Sequence, residues 1–214
     1  MFLKIFIFFL ILIRLTPTES NNIEEFKHCL IHNVQYSHEY LYASKKQNVS
    51  DKIITTPLEK VDDFIKVTWI FIPVKIDGVQ VNHLNRTLYM IKSGKYENDY
   101  LCTANQFEKI SPSKRGQIKL STIKDVNNKF NYYNCYWSFE TINLNKTIEG
   151  FKEFEETFVI RNMLTNEPMY AASFFFNSGW NKRSVFLWSP KKSTISNKFK
   201  WFIDCSKGEF LYSK

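Results

Sequence analysis

Short apolar runs alternate with polar residues at a spacing of two along most of the chain. HCLIHNV at 28–34, VTWIFIPV at 67–74, TLYMIKSG at 87–94, NCYWSFETI at 134–142, TFVIRNM at 157–163, RSVFLWSP at 183–190 and FKWFIDC at 199–205 are rich in β-branched and aromatic residues. Side chains two apart on a strand share a face, so this pattern predicts β-strands. The same rule puts Trp69 with Phe71, Trp137 with Phe139, and Trp201 with Ile203. No segment sustains a 3.6-residue stripe, and EFEETF at 153–158 supports no more than a helical turn.

The strands fall into a larger order. YLYAS at 40–44, YLCTA at 100–104 and MYAAS at 169–173 are variants of one phrase. From Leu41 to Leu101 to Met169 the steps are 60 and 68 residues, and from Trp69 to Trp137 to Trp201 they are 68 and 64. Two markers with a period near one third of the chain make a repeat signal. Each unit reads as strand, turn, strand, excursion and a Trp-containing strand. Three such units of about four strands predict an all-β fold, a β-trefoil with repeats at about 28–74, 87–142 and 157–205. In the phrase, Tyr40 and Tyr42 share one strand face and Leu41 takes the other, with Leu41, Leu101 and Met169 as matching core positions.

Residues 1–20 stand outside this plan. MFLKIFIFFLILIRLTPTES has an early Lys4, an apolar run from Ile5 to Ile13, and small residues at Thr18 and Ser20. This is the layout of a secretory signal peptide cleaved after Ser20, leaving 21–214 as one domain. Arg14 cuts the run short of the roughly 20 apolar residues that span a bilayer, so no transmembrane anchor is expected. The expected location is secreted and extracellular. Asn48, Asn85 and Asn145 each open an Asn-x-Ser/Thr sequon and would carry glycans there.

Four cysteines, Cys29, Cys102, Cys135 and Cys205, form an even set in a secreted chain. They imply two disulfides, and four cysteines allow three pairings. None lies in a CxxC pair or beside a ligand-spaced histidine, so no metal site is expected. His28 and His32 would share a strand face about 13 Å apart, too far to hold one ion. The chain has no HExxH, no GxSxG and no Gly-rich phosphate loop. Asp62-Asp63 and Glu155-Glu156 read as solvated charge. No catalytic residue, enzyme activity or cofactor is expected.

The formal net charge is +8, or +7 once Lys4, Arg14 and Glu19 leave with the signal. WNKRSVFLWSPKKSTISNKFK at 180–200 holds six Lys and Arg residues and no acid. With 183–190 as a strand, its cations gather at the two ends as a basic rim, although a soluble lysine-rich face would read the same way. In a secreted protein the anions such a rim would draw are sulfated polysaccharides, acidic lipid surfaces or acidic proteins, not nucleic acid. Trp180, Lys182, Arg183, Lys191 and Lys192 are the candidate ligand-binding residues. Trp180 sits in the loop NSGWNKR as a stacking platform for a sugar ring, and Trp188, on the strand, is assigned to the core.

The units FVIRNM, MYAAS, RSVFLWSP and KWFIDC of the last third resemble the repeat of secreted insect β-trefoil proteins, including salivary ones from blood-feeding flies. These are similar in plan to ricin-type lectin trefoils. The resemblance spans roughly residues 28–205 and implies sugar binding or a host-directed interaction. Ricin-type repeats carry Gln-x-Trp, and here the tripeptides are Val67-Thr68-Trp69, Cys135-Tyr136-Trp137 and Phe199-Lys200-Trp201. The Trp is kept and the Gln is absent. The trefoil plan places the first and last strands side by side, which implies the disulfides Cys29–Cys205 and Cys102–Cys135. Two functions follow as expectations. One is a lectin-like carbohydrate-binding module, with acidic glycans as candidate ligands. The other is a secreted protein-interaction factor or inhibitor that engages an extracellular protein through long loops.

Overall fold

The computed structural model describes residues 28–46, 49–76, 79–84, 86–103, 116–123, 132–142, 157–175, 183–188 and 195–205. Its regular elements are β-strands and short 3-10 turns. β1 (His28–Asn33), β2 (Glu39–Lys46), β3 (Val49–Pro57) and β4 (Thr68–Pro73) come first. After β4 come three two-residue strands, β5 (Lys75–Ile76), β6 (Val79–Gln80) and β7 (Asn82–His83). β8 (Arg86–Ser93), β9 (Asp99–Thr103), β10 (Gly116–Thr122) and β11 (Tyr136–Ile142) follow. β12 (Thr157–Asn162), β13 (Met169–Phe175), β14 (Arg183–Leu187) and β15 (Lys200–Asp204) complete the order.

Six strands close a barrel. β1 pairs β4, β4 pairs β8, β8 pairs β11, β11 pairs β12, β12 pairs β15 and β15 returns to β1, every pair antiparallel. Closure leaves no open edge among these six strands. The inward positions are those the period-two rule selects. Cys29 and Ile31, Trp69 and Phe71, Tyr89 and Ile91, Trp137, Phe158 and Ile160, and Trp201 are buried in one core, with Phe139 and Ile203 packed against it.

Three hairpins, β2–β3, β9–β10 and β13–β14, cap the barrel and join one another through β3–β14 and β10–β14. A six-stranded barrel capped by three hairpins is the β-trefoil architecture. Barrel and cap are tied by one bond made three times. The buried indole Nε1 donates to the Leu41 carbonyl from Trp69 at 3.0 Å, to that of Leu101 from Trp137 at 2.8 Å, and to that of Met169 from Trp201 at 3.1 Å. This explains why the phrase and the tryptophans keep step in sequence.

Hooks at the ends of β1, β8 and β12 fasten each strand to the one before it. Asn33 Nδ2 donates to the carbonyls of Lys198 and Lys200, and Asn162 Nδ2 to those of Asn134 and Tyr136. Between them the backbone does the work, with Gly94 N bonded to the Thr68 carbonyl at 2.9 Å. A Cβ on Gly94 would fall on Thr68 Oγ1, which explains a glycine there.

Disulfides join Cys29 to Cys205 and Cys102 to Cys135, the pairs the trefoil plan implies. The first closes a loop of 176 residues in sequence separation. Such a bond stabilises by on the order of 5 kcal/mol in the chain-entropy picture.

Two kinds of boundary differ from the sequence reading. Residues 64–67, 133–135 and 197–199 form 3-10 turns, so the Trp strands start later than their apolar runs. The other is β14, which ends at Leu187, so Trp188 lies beyond the strand.

Candidate functional site

The residue two before each buried Trp, where ricin-type repeats carry Gln, meets the residue that follows the phrase's core Leu or Met. These positions are Val67 with Tyr42, Cys135 with Cys102, and Phe199 with Tyr170. Each pair lies outside the barrel, between a hairpin and a 3-10 turn. The barrel scaffold makes these three clefts topologically alike, and each is filled by its own buried side chains, which differ in chemistry.

In the third cleft the contacts are aromatic. Tyr170 packs against Phe186, Phe199 and Trp188 at centroid separations of 5.1, 4.8 and 4.9 Å. Trp188 also stacks on Phe199 at 5.9 Å, with 25° between the planes. Its backbone N–H donates to the Pro168 carbonyl, and the residue is 36% exposed. The assignment of Trp188 to the core is therefore corrected: the strand stops one residue earlier, and the period-two rule no longer applies. An indole backed by two rings presents a fixed apolar face to solvent at little entropic cost. Lys198, on the 3-10 turn before Phe199, reaches away from Trp188, its Nζ 2.6 Å from Ser173 Oγ near the Arg183 end of the hairpin.

The second cleft is occupied by the Cys102–Cys135 disulfide. The first is polar. Tyr42 donates to Asp62 Oδ1 at 2.9 Å, and Lys66 Nζ binds Asp62 Oδ2 at 2.7 Å while lying over the Tyr42 ring. Burial and the bond to Asp62 push the Tyr42 hydroxyl up to about 12, which keeps it a donor. The Lys66 hydrogen bond holds Asp62 below the usual carboxylate range, and Lys95, 2.9 Å away, does the same for Asp63. Asp63 also accepts from Ile65 N and so caps a 3-10 turn. Asp62 remains a solvated charge, at 66% exposure, while Asp63 is half-buried between its partners.

Arg183 is not a rim cation. Its Nε lies 2.9 and 3.1 Å from the two Glu39 oxygens, and its Nη1 donates to the Ser173 carbonyl at 2.8 Å. The guanidinium covers the Tyr36 ring at 3.7 Å, and both side chains of the ion pair are 11% exposed. Thr55 Oγ1 donates a further bond to Glu39. Arg183 therefore joins the third hairpin to the first repeat. Trp180, Lys182, Lys191 and Lys192 lie outside the described residues, as do Asn48, Asn85, Asn145 and residues 1–20.

The histidines have local partners. His28 Nδ1 meets Thr68 Oγ1, and His32 Nδ1 meets the Ser37 carbonyl, its ring between Tyr40 and Phe202. Among the described residues no three His, Cys, Asp or Glu side chains gather as a metal site, and no helix is long and apolar enough to cross a membrane. The sequence reading missed the third cleft. A signal was available, because Tyr170 and Phe199 stand at the repeat positions that hold Cys102 and Cys135.

No family model matches the chain, and no curated protein matches it in sequence. In structure it is similar to the Saccharomyces cerevisiae protein O-mannosyltransferase Pmt1–Pmt2 complex bound to the sugar donor, with a TM-score of 0.59 and 11% identity. That match covers 83% of this chain but 24% of the other, so the chain spans about a quarter of the transferase's length. It is also similar to the SDF2-like protein of Arabidopsis thaliana, at TM-score 0.58 and 12% identity over 83% and 92% of the two chains. A Caenorhabditis elegans protein of unknown function aligns at TM-score 0.56 and 12% identity, over 87% and 97%. At these identities the likeness extends to the fold alone, and the fold is the one the strand pairings define, a closed β-trefoil barrel with its hairpin cap.

Proposed function

We propose that this chain is a secreted, non-enzymatic β-trefoil of three repeats, 28–74, 87–142 and 157–205, that binds carbohydrate through its third cleft. The observation that carries the reading is Trp188, an exposed indole held against Tyr170 and Phe199. Sugar rings stack their apolar C–H faces on such a surface. Trp180, Lys182, Lys191 and Lys192, which flank Trp188 in sequence, add stacking and charge that favour acidic glycans. In this reading residues 1–20 are the cleaved signal, 21–214 form one domain of the insect salivary type, and Asn48, Asn85 and Asn145 carry glycans. Glycan-array binding at physiological salt tests it. The wild-type protein should bind a defined glycan set, and Trp188→Ala should lose it. No binding by the wild type, or full binding by Trp188→Ala, would defeat the reading.

One observation favours a protein-interaction factor instead. Val67, Cys135 and Phe199 occupy the Gln positions of ricin-type repeats, and all three serve packing or a disulfide. Under that reading the array stays blank and an extracellular protein is captured instead.

A further inference from the structure

The outer wall of the barrel carries a second constellation, away from the third cleft. On β11 and β12 the inward residues Phe139 and Ile160 are followed by Glu140 and Arg161, which strand alternation turns outward. Arg161 Nε lies 3.0 Å from Glu140 Oε2, and Arg86 Nη2 on β8 approaches the same oxygen at 3.4 Å. Arg161 Nη1 also donates to the Asn166 carbonyl at 3.2 Å. Two guanidiniums thus converge on one carboxylate, which neutralises one charge and fixes the orientation of both forks.

The cluster is accessible. Arg86 is 31% exposed, Glu140 32% and Arg161 19%. Each guanidinium has five N–H donors, and the remaining donors of this pair have no partner among the described residues. The register extends the row beneath its covered middle, since Glu140 pairs with Val159, which is fully buried, and Val159 with Lys200. Strands lie about 4.8 Å apart, so Lys200 sits roughly 10 Å from Glu140 on the same wall. Glu167, one residue before the Arg161 bridge partner Pro168, is a further acid. Among the described residues these make three cations and two acids, on a chain of net charge +8.

We propose that Arg86 and Arg161, with Lys200 beyond them, form a binding site for sulfated polysaccharide. Guanidinium forks match the oxygens of sulfate as they match phosphate and carboxylate. A linear chain laid across the strands meets the arginine pair and then Lys200, and the net charge speeds its approach. The proposal takes its ligand class from the glycan-binding reading but uses a different face, so the two can fail separately.

The test is isothermal titration with a heparin hexasaccharide at 0.15 M NaCl, with unsulfated N-acetylheparosan of equal length alongside. The Arg86→Gln, Arg161→Gln double variant should bind heparin about tenfold more weakly, as expected for losing two guanidinium contacts. Glu140→Gln should bind a few-fold more tightly, a gain that misfolding cannot imitate. Lys119→Gln removes one exposed charge on β10 and should change little. Wild-type affinity in the double variant overturns the site. So does an equal loss in Lys119→Gln, which would mean that net charge alone binds, or equal affinity for the unsulfated chain. Binding to phosphatidylserine vesicles that follows these variants while heparin binding does not would assign the wall to lipid and overturn it too.

Discussion

At the residue scale, the tryptophans of the three Trp strands are fastening points. Trp137 is fully buried and its one polar atom satisfies the Leu101 carbonyl. Trp137→Phe keeps most of the apolar volume but orphans a buried acceptor and leaves a cavity. We expect a loss of about 2–4 kcal/mol, read from the urea midpoint at unchanged slope. Two tyrosines give the fold an alkaline limit. Burial raises Tyr42 and Tyr136 from 10.0 to about 12. Their folded values exceed the unfolded ones, so the folded state holds these protons more tightly. The stability they contribute is complete below pH 10 and is lost as pH rises toward 12. Absorbance titration should show late-ionising tyrosines, and Tyr136→Phe should reduce the fall in stability across that window.

At the element scale, the hairpins show how one plan can diverge. The position that is Tyr170 in the third repeat is Cys102 in the second, and a covalent bond stands where aromatic rings otherwise stack. Replacing Cys102 and Cys135 with Ala should cost about 3–4 kcal/mol for a separation of 33 residues. Hydrogen exchange should rise mainly in β9, β10 and the start of β11. The sequence made the barrel strands legible because their inner faces alternate, and the Trp spacing marked the three strands whose indoles bond the hairpin carbonyls. It did not reveal Arg183 with Glu39, because those residues are 144 positions apart and each alone looks like a surface charge. Trp188 was misplaced for a local reason: RSVFLWSP is apolar without a break from Val185 to Trp188, but β14 pairs only through Leu187. The 3-10 turns were hidden inside apolar runs that look like strand starts.

At the scale of the whole molecule, β15 against β1 closes the barrel and the Cys29–Cys205 bond locks that seam. The closed core is nearly threefold in its contacts, whereas the clefts around it are not. The clefts are where the three hairpins differ, and among the described residues the third holds an exposed indole. The chain has five tryptophans. Three have buried indoles bonded to carbonyls, and Trp188 is 36% exposed. Indole N–H resonances followed by NMR during titration with the best array glycan therefore test the claim most directly. The account predicts that the Trp188 signal moves in proportion to occupancy, that those of Trp69, Trp137 and Trp201 stay in place, and that Trp188→Ala abolishes binding. A glycan that binds without moving the Trp188 signal, or that binds Trp188→Ala as tightly as the wild type, would contradict it.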